Sequence, residues 1–142
     1  MLPCSVHKDE KRVLKSNFKM GFNHPTRLRV NGCLFDGSIH AEVDACNKLP
    51  MRMRRGDLLT VNLIVIRVTK SGKLCNSIPC QDCIRHLAMN ACAKGYRIKY
   101  VYYSTAEDQI IRETFKHMKA RLNLLYRSKG TMRRLDRINI LN

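Results

Sequence analysis

Two hydrophobic rhythms alternate along this chain. The segment LLTVNLIVIRV (58–68) is predominantly apolar and rich in β-branched residues. That composition predicts a strand buried on both faces. From Cys80 to Lys94 the period changes. Ile84, Leu87, Ala88 and Ala91 recur at helical spacing after Pro79, and Gly95 marks the stop, so a helix is predicted. RIKYVYYS (97–104) returns to strand character, with Tyr100, Tyr102 and Tyr103 expected mostly to pack. Upstream, Ser38 to Leu49 reads as a helix. Ser38 is its expected N-cap, Ile39, Val43 and Cys46 share one face, and Pro50 ends it. Downstream, Ser104 and Thr105 precede Glu107 and Asp108 in a capping-box pattern. A third helix is expected from there to about Leu125, with Ile111, Phe115, Met118 and Leu122 facing inward. The N-terminal region is less regular. RVLKSNFKMGFN predicts a strand ending at Gly21-Phe22-Asn23, and LRVNGCLFD a short strand or loop around the Asn31-Gly32 turn signal. The order helix, strand, helix, strand, helix implies an α/β layered fold with right-handed crossovers.

Length and composition narrow the class. A chain of 142 residues suits one domain over 1–142, and 44% hydrophobic residues can build a core. No apolar run reaches the roughly 18 residues that a membrane span needs, and the first residues lack an apolar signal region. The expectation is an intracellular protein, cytoplasmic or nuclear, in a reducing compartment. The seven cysteines agree: an odd number without secretory features argues against a disulfide framework. Cys33, Cys46 and Cys92 are expected as packed apolar residues.

Charge adds a partner class. Lys and Arg total 27 against 11 acidic residues, a formal +16. Such an excess favours polyanions, above all nucleic acid. Arg52, Arg54 and Arg55 in RMRR, and Arg133 and Arg134 in the tail, are candidate phosphate or nucleic-acid contacts. The 6% aromatic share argues against a rich base-stacking platform.

Candidate chemistry sits where two predicted helices begin. SIHAEVDAC places His40 and Glu42 two positions apart, and PCQDC follows with Cys80 and Cys83. Neighbouring crossover helices can bring their N-termini side by side. Cysteines at i and i+3 there face one way, and the helix dipole favours their thiolates. His40, Cys80 and Cys83 then form a three-ligand zinc site with a fourth, open position. Water at such a position is strongly acidified, and Glu42 stands beside it as a proton shuttle.

The two pieces match the H-x-E…P-C-x-x-C signature of zinc nucleobase deaminases. The chain resembles the cytidine deaminase superfamily, and more closely its cytidine/deoxycytidylate deaminase zinc-binding domains, over about residues 18–105. MGFNHPT resembles the family's Gly-x-Asn element, whose Asn, here Asn23, usually holds base or sugar. SIHAEVDA resembles the first zinc helix, VIRVTKSGKLCNSIPCQDCIRHL the strand and turn leading into the cysteines, and KYVYYST the strand after the second zinc helix. The resemblance implies a three-layer α/β/α cytidine deaminase-like fold around a five-stranded mixed sheet. It also implies Zn2+, hydrolytic deamination at C4 of cytosine to give uracil, and substrate contacts at Asn23, Ala41 and Pro79. A pocket completed by a neighbouring subunit, hence a homo-oligomer, is expected too. The chain departs from the family pattern at both ends. The first hairpin must come from residues 1–22, from CSVHK and VLKSNFKMGF, without the helix that usually precedes it. Residues 106–142 match no substrate-specific element.

The leading expectation is an enzyme acting on a free (deoxy)cytidine nucleoside or nucleotide. The same chemistry on single-stranded RNA or DNA is the alternative that the charge favours. Transfer-RNA adenosine is weaker, because Asp82 stands where those enzymes usually carry methionine. Two duller alternatives remain. One is a structural zinc with Cys75 as a fourth ligand. The other is a catalytically silent, basic, nucleic-acid-associated structural protein on the same fold.

Overall fold

The computed structural model describes residues 4–8, 19–30, 33–52 and 56–127. The first part of the strand expected in RVLKSNFKMGFN (12–18), the Asn31-Gly32 turn, Arg54, Arg55 and the tail with Arg133 and Arg134 lie outside these residues. Nine strands are described: β1 (Cys4–Lys8), β2 (Lys19–Gly21), β3 (His24–Val30), β4 (Cys33–Ile39), β5 (Leu59–Val65), β6 (Arg67–Val68), β7 (Leu74–Cys75), β8 (Tyr96–Ser104) and β9 (Ile110–Thr114). The helices are α1 (Ala41–Asn47), α2 (Gln81–Ala93) and α3 (Phe115–Ala120), followed by a 3-10 turn at Leu122–Leu124.

The chain is mixed α/β, as its patterning predicts. The main sheet runs β2-β1-β5-β8-β9. Only β5 and β8 are parallel, with Leu59 opposite Tyr96 and Val65 opposite Tyr103. A parallel pair needs a crossover, and α2 supplies it. The flanking pairs are antiparallel, and CSVHK forms β1 against β2 as the sequence predicts. β3–β4 is a separate long hairpin, and β6–β7 a short one.

One core joins the helices to one face of the sheet. Val61, Leu63 and Val65 of β5 are buried together with Tyr96, Ile98, Val101 and Tyr103 of β8. Ala45 and Cys46 of α1, Ile84, Leu87 and Ala91 of α2, and Phe115 and Met118 of α3 pack into the same cluster. All three described helices thus cover the same face. Thr60, Asn62 and Ile64 point the other way and stay half-buried. The expectation that 58–68 is buried on both faces is therefore corrected: β5 alternates. It also ends at Val65, and Arg67–Val68 turns off into the β6–β7 hairpin.

Two helix expectations need correction. β4 continues through Ser38 to Ile39, so Ser38 is not the cap and His40 is. The reason is tertiary. β3 pairs with β4 out to His24 opposite Ile39, and the first helical N–H, from Ala41, is capped from a distance by Asn23 Oδ1 at 2.7 Å. The expected third helix from residue 105 is a strand over most of its first half. Thr105 N–H bonds to Gln109 O, Asp108 takes φ 61°, and the β-branched IIRET pairs with β8. A turn followed by a ladder thus replaces the capping box. Ile111 is half exposed rather than inward, whereas Phe115 and Met118 are buried as expected. The working N-cap is Thr114, whose hydroxyl accepts from His117 N–H.

Glu113 joins β9 to α3. Its carboxylate accepts two hydrogen bonds of 2.6 Å from Arg121, one of 2.7 Å from His117 Nδ1 and one of 3.2 Å from the Tyr103 hydroxyl. The Arg121 hydrogen bonds hold its carboxyl below the ordinary value, against the opposing effect of burial. A depressed folded pKa contributes stability above the unfolded value, about 4.3, and loses it as pH falls through the folded value. Glu113→Gln is expected to cost about 2 kcal/mol at pH 7. Urea titrations of both proteins at several pH values should show that gap closing below about pH 4. A pH-independent gap would contradict the ion-pair account.

Gly21 ends β2 against α1. A Cβ there would collide with Ala41 O and Ala45 N, which are backbone atoms that cannot rotate away. Gly21→Ala is expected to destabilise by about 3 kcal/mol, at the upper end of overpacking costs. An unchanged urea midpoint would contradict this close approach. Among the described residues, no helix is long and apolar enough to cross a membrane.

Candidate metal centre

The His40 and Cys80 motifs converge because both open helices on the same face of the sheet. His40 caps α1 and Cys80 caps α2, each in extended backbone just before its helix. His40 O accepts from Asp44 N–H, and Cys80 O from Ile84 N–H, so both backbones are fixed by the first turn they start. The Cys80 and Cys83 sulfurs lie 3.4 Å apart. His40 Nδ1 lies 3.7 Å from Cys80 Sγ and 3.2 Å from Cys83 Sγ. Both cysteines are buried, and His40 is partly open.

The titration of this group fits a cation site. The hydrogen bond shared with Cys83 lowers the Cys80 thiol to about 4, and the hydrogen bond with His40 acts in the same direction. Cys83 moves upward, first through its hydrogen bond with Cys80 and then by burial. His40 is raised chiefly by its bond to Cys80. Glu42 is 5% exposed, and burial raises its carboxyl. Its Oε1 is 4.0 Å from His40 Nδ1, and Cys83 and His40 act against that rise.

These three donors can hold a metal ion. Zinc bonds of about 2.3 Å to sulfur and about 2.0 Å to nitrogen make tetrahedral edges of about 3.8 and 3.5 Å. The separations here match to within a few tenths of an ångström. The donor set, two thiolates and an imidazole, is also what zinc prefers. Among the described residues Cys75 is not part of the group. It lies on β7, and its carbonyl accepts from Ser104 Oγ. Among the described residues the possible donor set is therefore these three.

A serine pair carries the loop that delivers the cysteines. Ser77 Oγ donates to Val65 O at 2.6 Å and accepts Ser104 N–H at 2.8 Å. The fully buried Ser104 hydroxyl reaches Cys75 O at 2.6 Å. Pro79 is fully buried immediately before Cys80. The loop is thereby tied to the ends of both β5 and β8, next to the sheet edge where α2 begins.

The other candidate residues divide. Asn23 is exposed, with its Oδ1 fixed by Ala41 and its Nδ2 outward-capable. Ala41 is buried, and its N–H is already engaged with Asn23. Arg52 is built into the fold. Its Nη1 donates to Asp57 O and Gly95 O, and its guanidinium lies 5.9 Å from the Tyr96 ring. His24 faces Asp44 at 3.3 Å, and His86 faces Asn47 at 3.2 Å. Cys46 is core as expected, but Cys92 is exposed rather than packed, since it falls on the outer side of α2.

Three supports escaped the sequence reading. Asp44 accepts from Phe22 N–H, Lys48 and His24, which together outweigh burial and lower its pKa; only its i, i+4 spacing from Lys48 was a signal. Lys94 Nζ donates to the carbonyls of Cys46, Asn47 and Leu49, clamping the C-terminus of α1 to that of α2. Gln81, between Pro79-Cys80 and Cys83, holds the chain after α3. Its N–H donates to Tyr126 O at 3.0 Å, its Nε2 to Leu125 O at 2.7 Å, and Arg127 Nε reaches its Oε1 at 3.2 Å. This places Tyr126 beside the centre. Burial raises its hydroxyl to about 12, and the charges of Cys80, Glu42 and Cys83 push the same way. No sequence motif announces Tyr126. No family model, no curated protein and no solved structure matches this chain.

Proposed function

We propose that this protein is a zinc-dependent hydrolase that deaminates the cytosine of a (deoxy)cytidine nucleoside or nucleotide to uracil. The observation that carries this reading is the meeting of His40, Cys80 and Cys83 at adjacent helix N-termini with a buried carboxylate, Glu42, against them. A purely structural zinc has no use for such a carboxylate. The reading takes the fold as a cytidine deaminase-like mixed sheet, of which the described residues show one helical layer. The parallel β5–β8 pair with α2 as its crossover supports this.

His40, Cys80 and Cys83 would hold the metal, which when bound supplies an acidified water and a positive charge. Glu42 moves the protons. It takes one from the attacking water, returns protons to N3 and to the departing amino group at C4, and so releases ammonia and leaves a carbonyl. Burial raises its carboxyl toward the range in which it can both accept and donate. Asn23, oriented through Oδ1, offers Nδ2 to base or sugar. Asp44 and Lys94 keep α1 in place, so His40 and Glu42 stay aligned with the cysteines.

A second reading keeps this chemistry but takes cytosine in single-stranded RNA or DNA, and the +16 charge favours it. One competition assay tests both. Zinc-loaded protein receives cytidine, CMP, dCMP and cytosine-bearing RNA and DNA strands together, and uracil products are followed by mass spectrometry. Product from the free compounds supports the first reading, and product from strands only supports the second. No product with zinc bound overturns both for cytosine and leaves a silent, nucleic-acid-associated protein as the better account.

A further inference from the structure

The sheet has a second face, turned away from the metal centre and from all three described helices. Its character is set by one irregularity. Along β5 and β8 the register shifts between Val61 and Leu63: Val61 faces Ile98, but Leu63 faces Val101. The extra residue turns Tyr100 and Tyr102 away from the core while Tyr103 stays in it. Asn62 Oδ1 accepts the Tyr100 N–H at 3.3 Å, so the side chain of one strand stabilises the shift in the other.

The result on this face is a half-buried aromatic pair framed by cations. Tyr100 and Tyr102 meet edge to face, with centroids 6.4 Å apart and planes at 64°. The Arg112 guanidinium, from β9, lies 4.9 Å from the Tyr100 centroid, and Lys99 Nζ lies 5.2 Å from it. Arg97 is on the same face, reaching Thr60 at 3.3 Å. No carboxylate stands on this face among its described strand residues, because Glu113 points into the helix side toward Tyr103 and Arg121.

We propose that this face binds single-stranded nucleic acid, with Tyr100 and Tyr102 stacking bases and Arg97, Lys99 and Arg112 contacting phosphates. Aromatic rings on an open sheet offer every base a π-face, and adjacent cations follow the backbone. Charge decides against the other occupants. A second copy would set the same three cations against themselves. The chain's own segment 128–142 carries Lys129, Arg133, Arg134 and Arg137 against one acid, Asp136, and repels this face in the same way. An anionic membrane would meet the cations but gives the tyrosine pair no stacking partner. This surface lies on the opposite side of the sheet from Glu42, so binding there is separable from turnover.

The test uses fluorescence anisotropy with labelled mixed-sequence 15-nucleotide RNA and DNA, at several salt concentrations. The variants are Tyr100→Leu/Tyr102→Leu, which keeps apolar bulk on the strands, Arg112→Gln, and Lys116→Gln on α3 as an equal-charge control. Circular dichroism and zinc content confirm folding. The double tyrosine variant is expected to bind at least about tenfold more weakly with an unchanged salt slope. Arg112→Gln should lower that slope by about one, and Lys116→Gln should leave it unchanged. Ultraviolet crosslinking to wild type should label the peptide that carries Tyr100 and Tyr102, which needs no variant to fold. Wild-type affinity of the tyrosine variant, crosslinks only elsewhere, or equal loss with Lys116→Gln would each overturn the proposal. So would undiminished binding to anionic vesicles alone with no binding to either strand. Glu42→Gln should bind as wild type does, so failure of the deaminase reading and failure of this one are told apart.

Discussion

Glu42→Gln is expected to leave the protein folded and zinc-loaded while lowering turnover by about 10²–10⁴-fold. The substitution is nearly isosteric, so it leaves no cavity around a side chain that is only 5% exposed. It removes the buried carboxylate beside the centre that the proposed reaction uses to take and return a proton. His40, Cys80 and Cys83 do not depend on it for their positions, because each is fixed by the start of its own helix. Uracil formation and metal content measured on the same preparation check this. Full turnover in Glu42→Gln removes the proton-shuttle role. Loss of zinc together with activity would recast Glu42 as a support of the ligands.

Cys83→Ala carries the second large effect: loss of zinc at least about a hundredfold in affinity, and with it stability. Removing a partner that supports a ligand already costs ten- to a hundredfold, so removing a ligand costs more. Metal binding to a folded site is folding free energy. A hundredfold affinity loss near saturation corresponds to about 2.7 kcal/mol, and for a chain of this size that means a Tm lower by about 10 °C. Chelator should produce a similar fall in wild type and little further fall in the variant. The pair of melting curves, with and without chelator, thus separates metal loss from simple damage to α2. Equimolar zinc retained in Cys83→Ala would place the metal elsewhere.

The elements legible in the sequence are those whose local signals agree with their surroundings. α2 has Pro before it, Gly95 with φ 92° after it and an apolar stripe between, and it appears within one residue of both caps. The candidate donors His40, Cys80 and Cys83 were legible as a possible group for the same reason, since their spacing is local and each stands at a helix start. Where tertiary pairing overrode local pattern, the sequence misled. IIRET can satisfy helical spacing at Ile111, but a free edge of β8 was waiting for it. Ser38 is a good cap by residue type, yet the β3–β4 ladder extends past it, and Asn23 caps from 18 residues away. The same blindness hid Tyr126 and Gln81, which meet over 44 to 45 residues. It also gave no sign that Arg52 Nη1 closes a backbone junction at Asp57 O and Gly95 O.

The bonds from Gln81 to Leu125 and Tyr126 carry a consequence for the order of synthesis. Cys80 and Cys83 leave the ribosome long before residues 125 and 126, so the start of α2 emerges with the N–H and the side-chain amide of Gln81 still wanting their acceptors. All three candidate donors are then made before the segment that frames two of them, so the grouping of His40, Cys80 and Cys83 is completed later than its motif is synthesised.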